Sequence, residues 1–455
     1  MRLSELARIV SGELHGEEVE FATASIDTRT LKPGDLFIAI GGQRFDGHDF
    51  VGPACAAGAC AAVVERKVEA SLPQVLVADA RVALGRLGAA WRGLSSARVV
   101  GLTGSNGKTT AKEMIAAILG VHDSVLSTRG NLNNDLGVPL TLLGLRPEHR
   151  YAVIEMGANH LHEIEYVAGL AKPEVALITN AGSAHLEGFG SREGVARGKG
   201  EIIAALARDG VAILNADDEY FGLWRDMAGA RKMIGFGFGG NADVRGLLDS
   251  VRCQGGPGGF QTRFRCEYAG DGYDITLRLA GRHNVANALA AAASCAALGV
   301  DFGQIAEGLS RLAPVAGRIQ PGRAGNGALL INDTYNANPS SFKAALDVLL
   351  AVSGEPWVAL GAFGELGEAS AALHAELGLL AKSSGVARLF ATGPNADRAV
   401  EAFGPGARFF SRQEELIEQL QEELRGDVAL LVKGSRSQRM ERVIEALRAR
   451  TETCC

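Results

Sequence analysis

Residues 97–120 read ARVVGLTGSNGKTTAKEMIAAILG. An apolar run of strand length, Ala97 to Thr103, ends in the turn Gly104-Ser105-Asn106-Gly107, and a helical pattern opens at once on Lys108, Thr109 and Thr110. Strand, tight turn and helix in that order predict a βα unit whose loop turns backbone N–H groups and the positive end of a helix toward an anion such as a phosphate chain. Lys108 adds a point charge and Thr109 a hydroxyl suited to Mg²⁺. The long form G-x-x-x-x-G-K-T is not met, because position 102 is Leu, whereas the short form G-x-x-G-K-T is.

Outward from this unit the βα rhythm continues. YAVIEMG (151–157), EVALITN (174–180) and GVAILNAD (210–217) are strand-length apolar runs, each preceded by helix-like sequence. Such alternation predicts a parallel sheet covered on both faces. The glycine-rich stretch 235–272 breaks the pattern and predicts a β-rich excursion, followed by an alanine-rich helix, NVANALAAAASCAALG. Upstream, DLFIAI, CAAVVE and QVLVAD are short β-type runs between glycine and proline turns. Downstream, ALLINDTYN, PWVALGAF, VARLFATG and DVALLVKG form another βα series, with the strand ends free for ligand contact. A chain of 455 residues exceeds one ordinary core. The fold expectation is therefore α/β in three domains: 1–83, a small N-terminal α/β domain; 84–312, a central parallel-sheet P-loop domain; and 313–455, a doubly wound, Rossmann-like domain.

A net charge of -6 without a Lys/Arg-rich run offers no field for a nucleic-acid backbone, so nucleic acid is excluded as an expected partner. The N-terminus lacks the apolar core of a secretory signal, and no apolar run reaches the roughly 18 to 20 residues that span a bilayer. A cytoplasmic monomer without a membrane anchor is expected. Seven scattered cysteines, none in a CxxC pair, are expected to be thiols rather than metal ligands.

Two further residues are placed to serve the loop: Glu155, ending one strand, and His185, in TNAGSAHLEGFGS after the next. A carboxylate and an imidazole at the carboxyl ends of neighbouring parallel strands would converge on the phosphates as metal ligands. Each has an ordinary alternative as a capping or structural residue.

TGSNGKTT, IEMGANH, TNAGSAHLEGFGS, ARGKGE, GRHNVANALAA, GRIQ, INDTYNANPSS and VKGSRS occur in the order and approximate spacing of the Mur ligases, and over nearly the whole chain the sequence resembles that family. The resemblance implies a domain for a UDP-linked substrate, one for ATP and a mobile C-terminal domain. SIDTRTLKPGDLFIAIGGQRFDGHDF, DTYNANPSS and GELGE are most similar to the D-alanyl-D-alanine-adding branch, and no DNPR-type motif of the diaminopimelate-adding branch is present. ATP and Mg²⁺ are implied, with UDP-N-acetylmuramoyl-tripeptide and D-alanyl-D-alanine as substrates; the third peptide residue, diaminopimelate or lysine, stays open.

Carried over by position, Gly104, Ser105, Asn106, Gly107, Lys108, Thr109 and Thr110 would hold the phosphates, with Thr109, Glu155 and His185 on metal. Asn284 and Asn287 would lie near adenine, Arg318 would reach the γ-phosphate, and Asp333, Tyr335 and Asn336 would line the nucleotide from the third domain. Asp27, Thr28, Arg29, Arg44, Asp46 and His48 would lie near the UDP moiety. Asn131, Asn133 and Asn134 would flank the growing peptide, and Lys433, Ser435 and Arg436 the dipeptide carboxylate, for which an Arg fork is apt. Ala362 and Phe363 stand where relatives usually show Asp and Met. Lys199, between Gly198 and Gly200 at the start of a helical pattern, would be carbamylated by CO₂ and support a second Mg²⁺. The implied chemistry is carboxylate activation as an acyl phosphate, followed by amine attack. Two rivals remain: a folylpolyglutamate-synthase-like ligase, which would need pterin-binding features, and a P-loop NTPase switch or motor, which would turn over without an acceptor.

Overall fold

The computed structural model describes residues 1–42, 45–182, 186–256 and 259–448. Three sheets follow one another along the chain. The first has five short strands in the order Glu13–His15, Gln74–Leu76, Ala61–Val64, Leu36–Ile38, Ala24–Ser25, parallel except for the first pair. Helix Leu3–Val10 packs on it through Leu3, Leu6, Ala7 and Val10.

The central sheet is built around Arg98–Thr103, which lies between Tyr151–Glu155 and Val175–Ile178. Val125–Ser127 adds one edge, and Val211–Asn215, Lys232–Gly237 and Val244–Gly246 extend the other, all parallel. The alternation of strand side chains sorts the core into two layers. Val100, Leu102, Val153 and Leu177 face helices Lys108–Leu119, Arg282–Ala297 and Phe302–Arg311. Val99, Ile154, Ala176 and Ile178 face Glu163–Ala171, Arg192–Ala204 and Phe221–Ala228. The parallel series runs further than expected, since Lys232–Gly237 and Val244–Gly246 belong to it. Only then does the chain turn into an antiparallel wing of Arg252–Gly256, Gly259–Tyr268 and Asp271–Leu277.

The third sheet has the order Gln320–Arg323, Leu329–Asp333, Val428–Lys433, Glu355–Gly361, Arg388–Thr392, Ala407–Phe410, again parallel except for its first pair. Helices Pro339–Leu350, Ser370–Ser383 and Ala396–Phe403 cover one face, and Gln413–Glu423 and Glu441–Leu447 the other. The three-domain α/β architecture is thus present.

The expected boundary between residues 83 and 84 falls inside helix Ala80–Gly93. Ala80, Ala83, Leu84 and Leu87 complete the first domain's core. The same helix is bolted to the central domain: Trp91 Nε1 donates to the Leu145 carbonyl and Arg92 Nε to that of Ala171. A Cβ at Gly85 would stand 2.1 Å from the Tyr166 hydroxyl, and one at Gly88 would stand 2.9 Å from Pro139. Among the described residues no helix is long and apolar enough to cross a membrane.

Candidate active site

Carboxyl ends of parallel strands are where loops leave the sheet and ligands gather. Here Thr103, Glu155 and Ile178 end central strands, while Asp333 and Lys433 end strands of the third domain. Between the two sheets lies a cleft of about 400 Å³ lined by Asn106, Gly107, Thr109, Thr110, Asn284, Asn287, Arg318, Asp333 and Lys433, among others.

The glycine loop is closely fitted. Gly104 has φ 145°, and a Cβ there would stand 2.0 Å from Thr179 Oγ1; Gly107 has φ 82°, and a Cβ would stand 2.2 Å from Asn287 Oδ1. Only glycine meets both the backbone and the space requirement. Neighbouring strand-end residues hold the turn: Ser105 N donates to the Asn180 carbonyl, and Gly182 N donates to Ser105 Oγ. Lys108 folds back so that Nζ donates to the Gly104 carbonyl at 2.6 Å. Burial lowers its pKa, Glu155 opposes that shift, and Arg318 adds to it.

Glu155 is 2% exposed. Its N–H donates to Thr128 Oγ1 and its Oε1 accepts from Asn133 Nδ2, while Oε2 is buried without a partner. A buried carboxylate oxygen without a donor is costly, and a cation would satisfy it. The Glu155 carboxylate therefore fits a hard divalent ion, and Thr109 brings a hydroxyl to the cleft lining, although among the described residues no group of three or more His, Cys, Asp and Glu is clustered for one. His185 lies outside the described residues.

Lys199 is 1% exposed, inside helix Arg192–Ala204 rather than at its start. Its flanking glycines do permit close approach: a Cβ at Gly198 would strike Phe189, and one at Gly200 would strike Met227. The ammonium donates to the Ala158 carbonyl and lies 5.2 Å from the Phe189 ring centroid. Burial, reinforced by repulsion from Lys108, brings its pKa down to about 7.

From the third domain, Arg318 stacks on Tyr335 with 4.2 Å between guanidinium carbon and ring centroid, and its Nε is buried without a partner. Asn287 donates to Asn284, which in turn donates to the Ala280 carbonyl. Asn336 accepts from Ala337 N through its own side chain, and its carbonyl accepts from Lys433.

Some residues sit elsewhere than expected. Lys433, expected on the dipeptide carboxylate with Ser435 and Arg436, is 1% exposed inside the cleft, where it pairs with Asp333. A lysine buried at a strand end needs a counter-charge, and Asp333 ends the neighbouring strand in register with it. Ser435 accepts from Gly364 N, and Arg436 is an exposed residue that pairs with Glu441. His48, expected near UDP, is committed to the fold: Nδ1 meets Asp46 Oδ1 at 2.6 Å, and Nε2 accepts from Glu65 N. Hydrogen bonds from His48 N–H and Arg66 hold the Asp46 carboxyl far below its ordinary range. Asp27 chelates exposed Arg29 beside Thr28, while Arg44 lies outside the described residues. Asn133 donates to Glu155; Asn131 is exposed, and Asn134 caps the turn into Gly137–Leu142. Ala362 and Phe363 are buried, and Phe363 packs edge-on against Phe342.

Cleft residues absent from the expectations include Asn180, His283, Ser340 and Ser341. All stand in quoted motifs, but a polar residue in the turn after a strand or in the first turn of a helix is ordinary, so sequence alone did not separate them.

Models for the Mur ligase middle domain, the Mur ligase glutamate ligase domain and the Mur ligase family catalytic domain match residues 102–295, 317–436 and 20–92. The chain is 44% identical over 452 residues, 98% of each sequence, to the UDP-N-acetylmuramoyl-tripeptide–D-alanyl-D-alanine ligase of Escherichia coli strain K12. It is similar to the crystal structure of MurF from Acinetobacter baumannii, with TM-score 0.89, 38% identity and 97% of both chains covered. The MurF ligase of Thermotoga maritima in complex with ADP superimposes with TM-score 0.82 at 31% identity, covering 93% of this chain and 96% of that one.

Proposed function

The chain belongs to the Mur ligase family, and from that premise we propose that it joins D-alanyl-D-alanine to UDP-N-acetylmuramoyl-tripeptide with ATP, making the pentapeptide precursor of peptidoglycan and so serving cell-wall growth, shape and division. The cleft shared by the glycine loop and the third domain carries the reading: Arg192, Arg318 and Lys433 line it with Asp333 as the one carboxylate among its described lining residues, and Lys108, on the loop beside it, feels the repulsion of Arg318. That surplus of positive charge suits a polyphosphate.

A carboxylate is a poor electrophile. Attack of the tripeptide carboxylate on the γ-phosphorus makes an acyl phosphate and releases ADP; the dipeptide amine then forms the amide bond, and phosphate and a proton leave. The loop's free N–H groups and Lys108 cradle the phosphates, and Arg318 neutralises charge that grows on the transferring group. Asn284 and Asn287 offer amides to the base. Asp333 holds Lys433 inside the cleft, and stacking on Tyr335 fixes the plane of Arg318. Mg²⁺, held by Thr109 and Glu155, with a second ion on carbamylated Lys199 and His185, would neutralise phosphate charge when bound. Asp27, Thr28 and Arg29 remain the candidates for the UDP moiety, and Ser435 with Arg436 for the dipeptide carboxylate. We infer a cytoplasmic monomer.

Phosphate release measured with and without UDP-muramoyl-tripeptide and D-alanyl-D-alanine tests the reading. Release that requires both, with pentapeptide formed in equal amount, is expected. Turnover without an acceptor would return the chain to the NTPase switches.

A further inference from the structure

Asn106, at the tip of the glycine loop, has little left to give a phosphate. Its N–H donates to Asn180 Oδ1 at 3.0 Å, and its carbonyl accepts from Thr179 Oγ1 at 2.6 Å and from Asn180 Nδ2 at 3.0 Å. Its side chain crosses to the third domain: Asn106 Oδ1 accepts from Asn338 Nδ2 at 2.7 Å, and Asn106 Nδ2 donates to Ser340 Oγ at 2.8 Å. Ser340 Oγ then donates to Asn338 Oδ1 at 2.9 Å and closes a three-membered ring of hydrogen bonds. Asn338 is also the N-cap of helix Pro339–Leu350, where it accepts from Ser341 N. The ring therefore joins the loop tip to the rigid start of a third-domain helix.

We propose that Asn106 is the docking point of the third domain rather than a phosphate ligand, with Asn338 and Ser340 as the positioning residues that dock there. The ring favours the docked form, in which Arg318 lines the cleft, without closing every ligand-free molecule, and nucleotide binds to the docked form. Losing the ring lowers the fraction of docked molecules and weakens apparent affinity by that fraction.

Ser340→Ala removes one partner without disturbing the cap. Asn338→Ser keeps a capping oxygen but is too short to reach Asn106. For each variant the KM for ATP rises about fivefold, the effect of one neutral hydrogen bond. A contact kept equally in ground and transition states moves KM alone, so kcat stays within about twofold. Small-angle scattering of the full ligand-free chain shows a larger radius of gyration in both variants. Asn106→Ala combined with Ser340→Ala costs no more than Asn106→Ala alone, because the two act through one contact. Wild-type radius and KM in both single variants, additive losses in the double variant, or a lowered melting temperature without expansion would each overturn the proposal. The affinity arm rests on the ligase reading, whereas the scattering arm needs no substrate. A chain that expanded on mutation yet bound no ATP would undo that reading and leave the docking inference standing.

Discussion

A lysine that burial and a neighbouring ammonium bring to a pKa of about 7 is half neutral at physiological pH, and only the neutral amine adds to CO₂. For Lys199 that addition forms an N–C bond, releases a proton and exchanges a cation for an anion. In CO₂-free buffer the unfolded chain binds the extra proton between pH 7 and the ordinary lysine range, so the folded state gains stability as pH rises through that window. Melting curves should show that slope, and Lys199→Met should remove this contribution. With labelled bicarbonate a carbon-13 carbamate signal is expected. Lys199→Ala should lose most ligation and regain part of it with a small carboxylic acid; a fully active variant would take the residue out of the mechanism. Lys108→Ala and Thr109→Ala should each lower ligation about 100-fold or more while the protein stays folded, as loss of one preorganised charge contact does. Near-normal turnover in either would contradict the site. At this scale the sequence was legible where chemistry is local, as at Gly104, Gly107 and Lys108. It was silent where a partner comes from far along the chain, as for Lys433 on Asp333 and for Asn106 on Asn338.

Between elements, Lys112 links the loop helix to the strand that ends in Glu155. Buried on helix Lys108–Leu119, its ammonium donates to the Thr128 carbonyl at 2.6 Å and pairs with Glu113, while the Thr128 hydroxyl receives Glu155 N–H. Lys112→Met strands the Thr128 carbonyl and should cost about 1–3 kcal/mol, the penalty of an unsatisfied buried group. Denaturant titration measures that loss, and an unchanged midpoint would mean that the contact adds no net stability. The elements themselves were the most readable level. Strands such as Val99–Leu102 announce themselves by unbroken apolarity, and Lys108–Leu119 by an abrupt change of period after glycine. The stretch 235–272 misled in part because its glycines hide Lys232–Gly237 and Val244–Gly246, whose places come from pairing and not from local preference.

On the scale of the molecule, the third domain meets the central one through Asn106 and also through the wing, whose Phe260 is buried in the third domain's core cluster. Saturating nucleotide and muramoyl substrate should shrink the radius of gyration, and should shrink Asn338→Ser by more because it starts more open. An unchanged radius in both proteins would refute ligand-driven closure. The first and central domains are joined differently, by a helix that each needs as part of its own wall. That arrangement has a hereditary consequence: neither domain can be traded between relatives on its own. A chimera cut at residue 83 splits the helix from its own first turn. One cut after Gly93 imports a foreign helix against Tyr166 and Pro139, where a side chain at position 88 would meet the Pro139 backbone and one at position 85 would have to push the exposed Tyr166 side chain aside. Donors with glycine at position 88 should yield soluble hybrids and donors with larger residues there should not, so the two domains are expected to descend as a single unit.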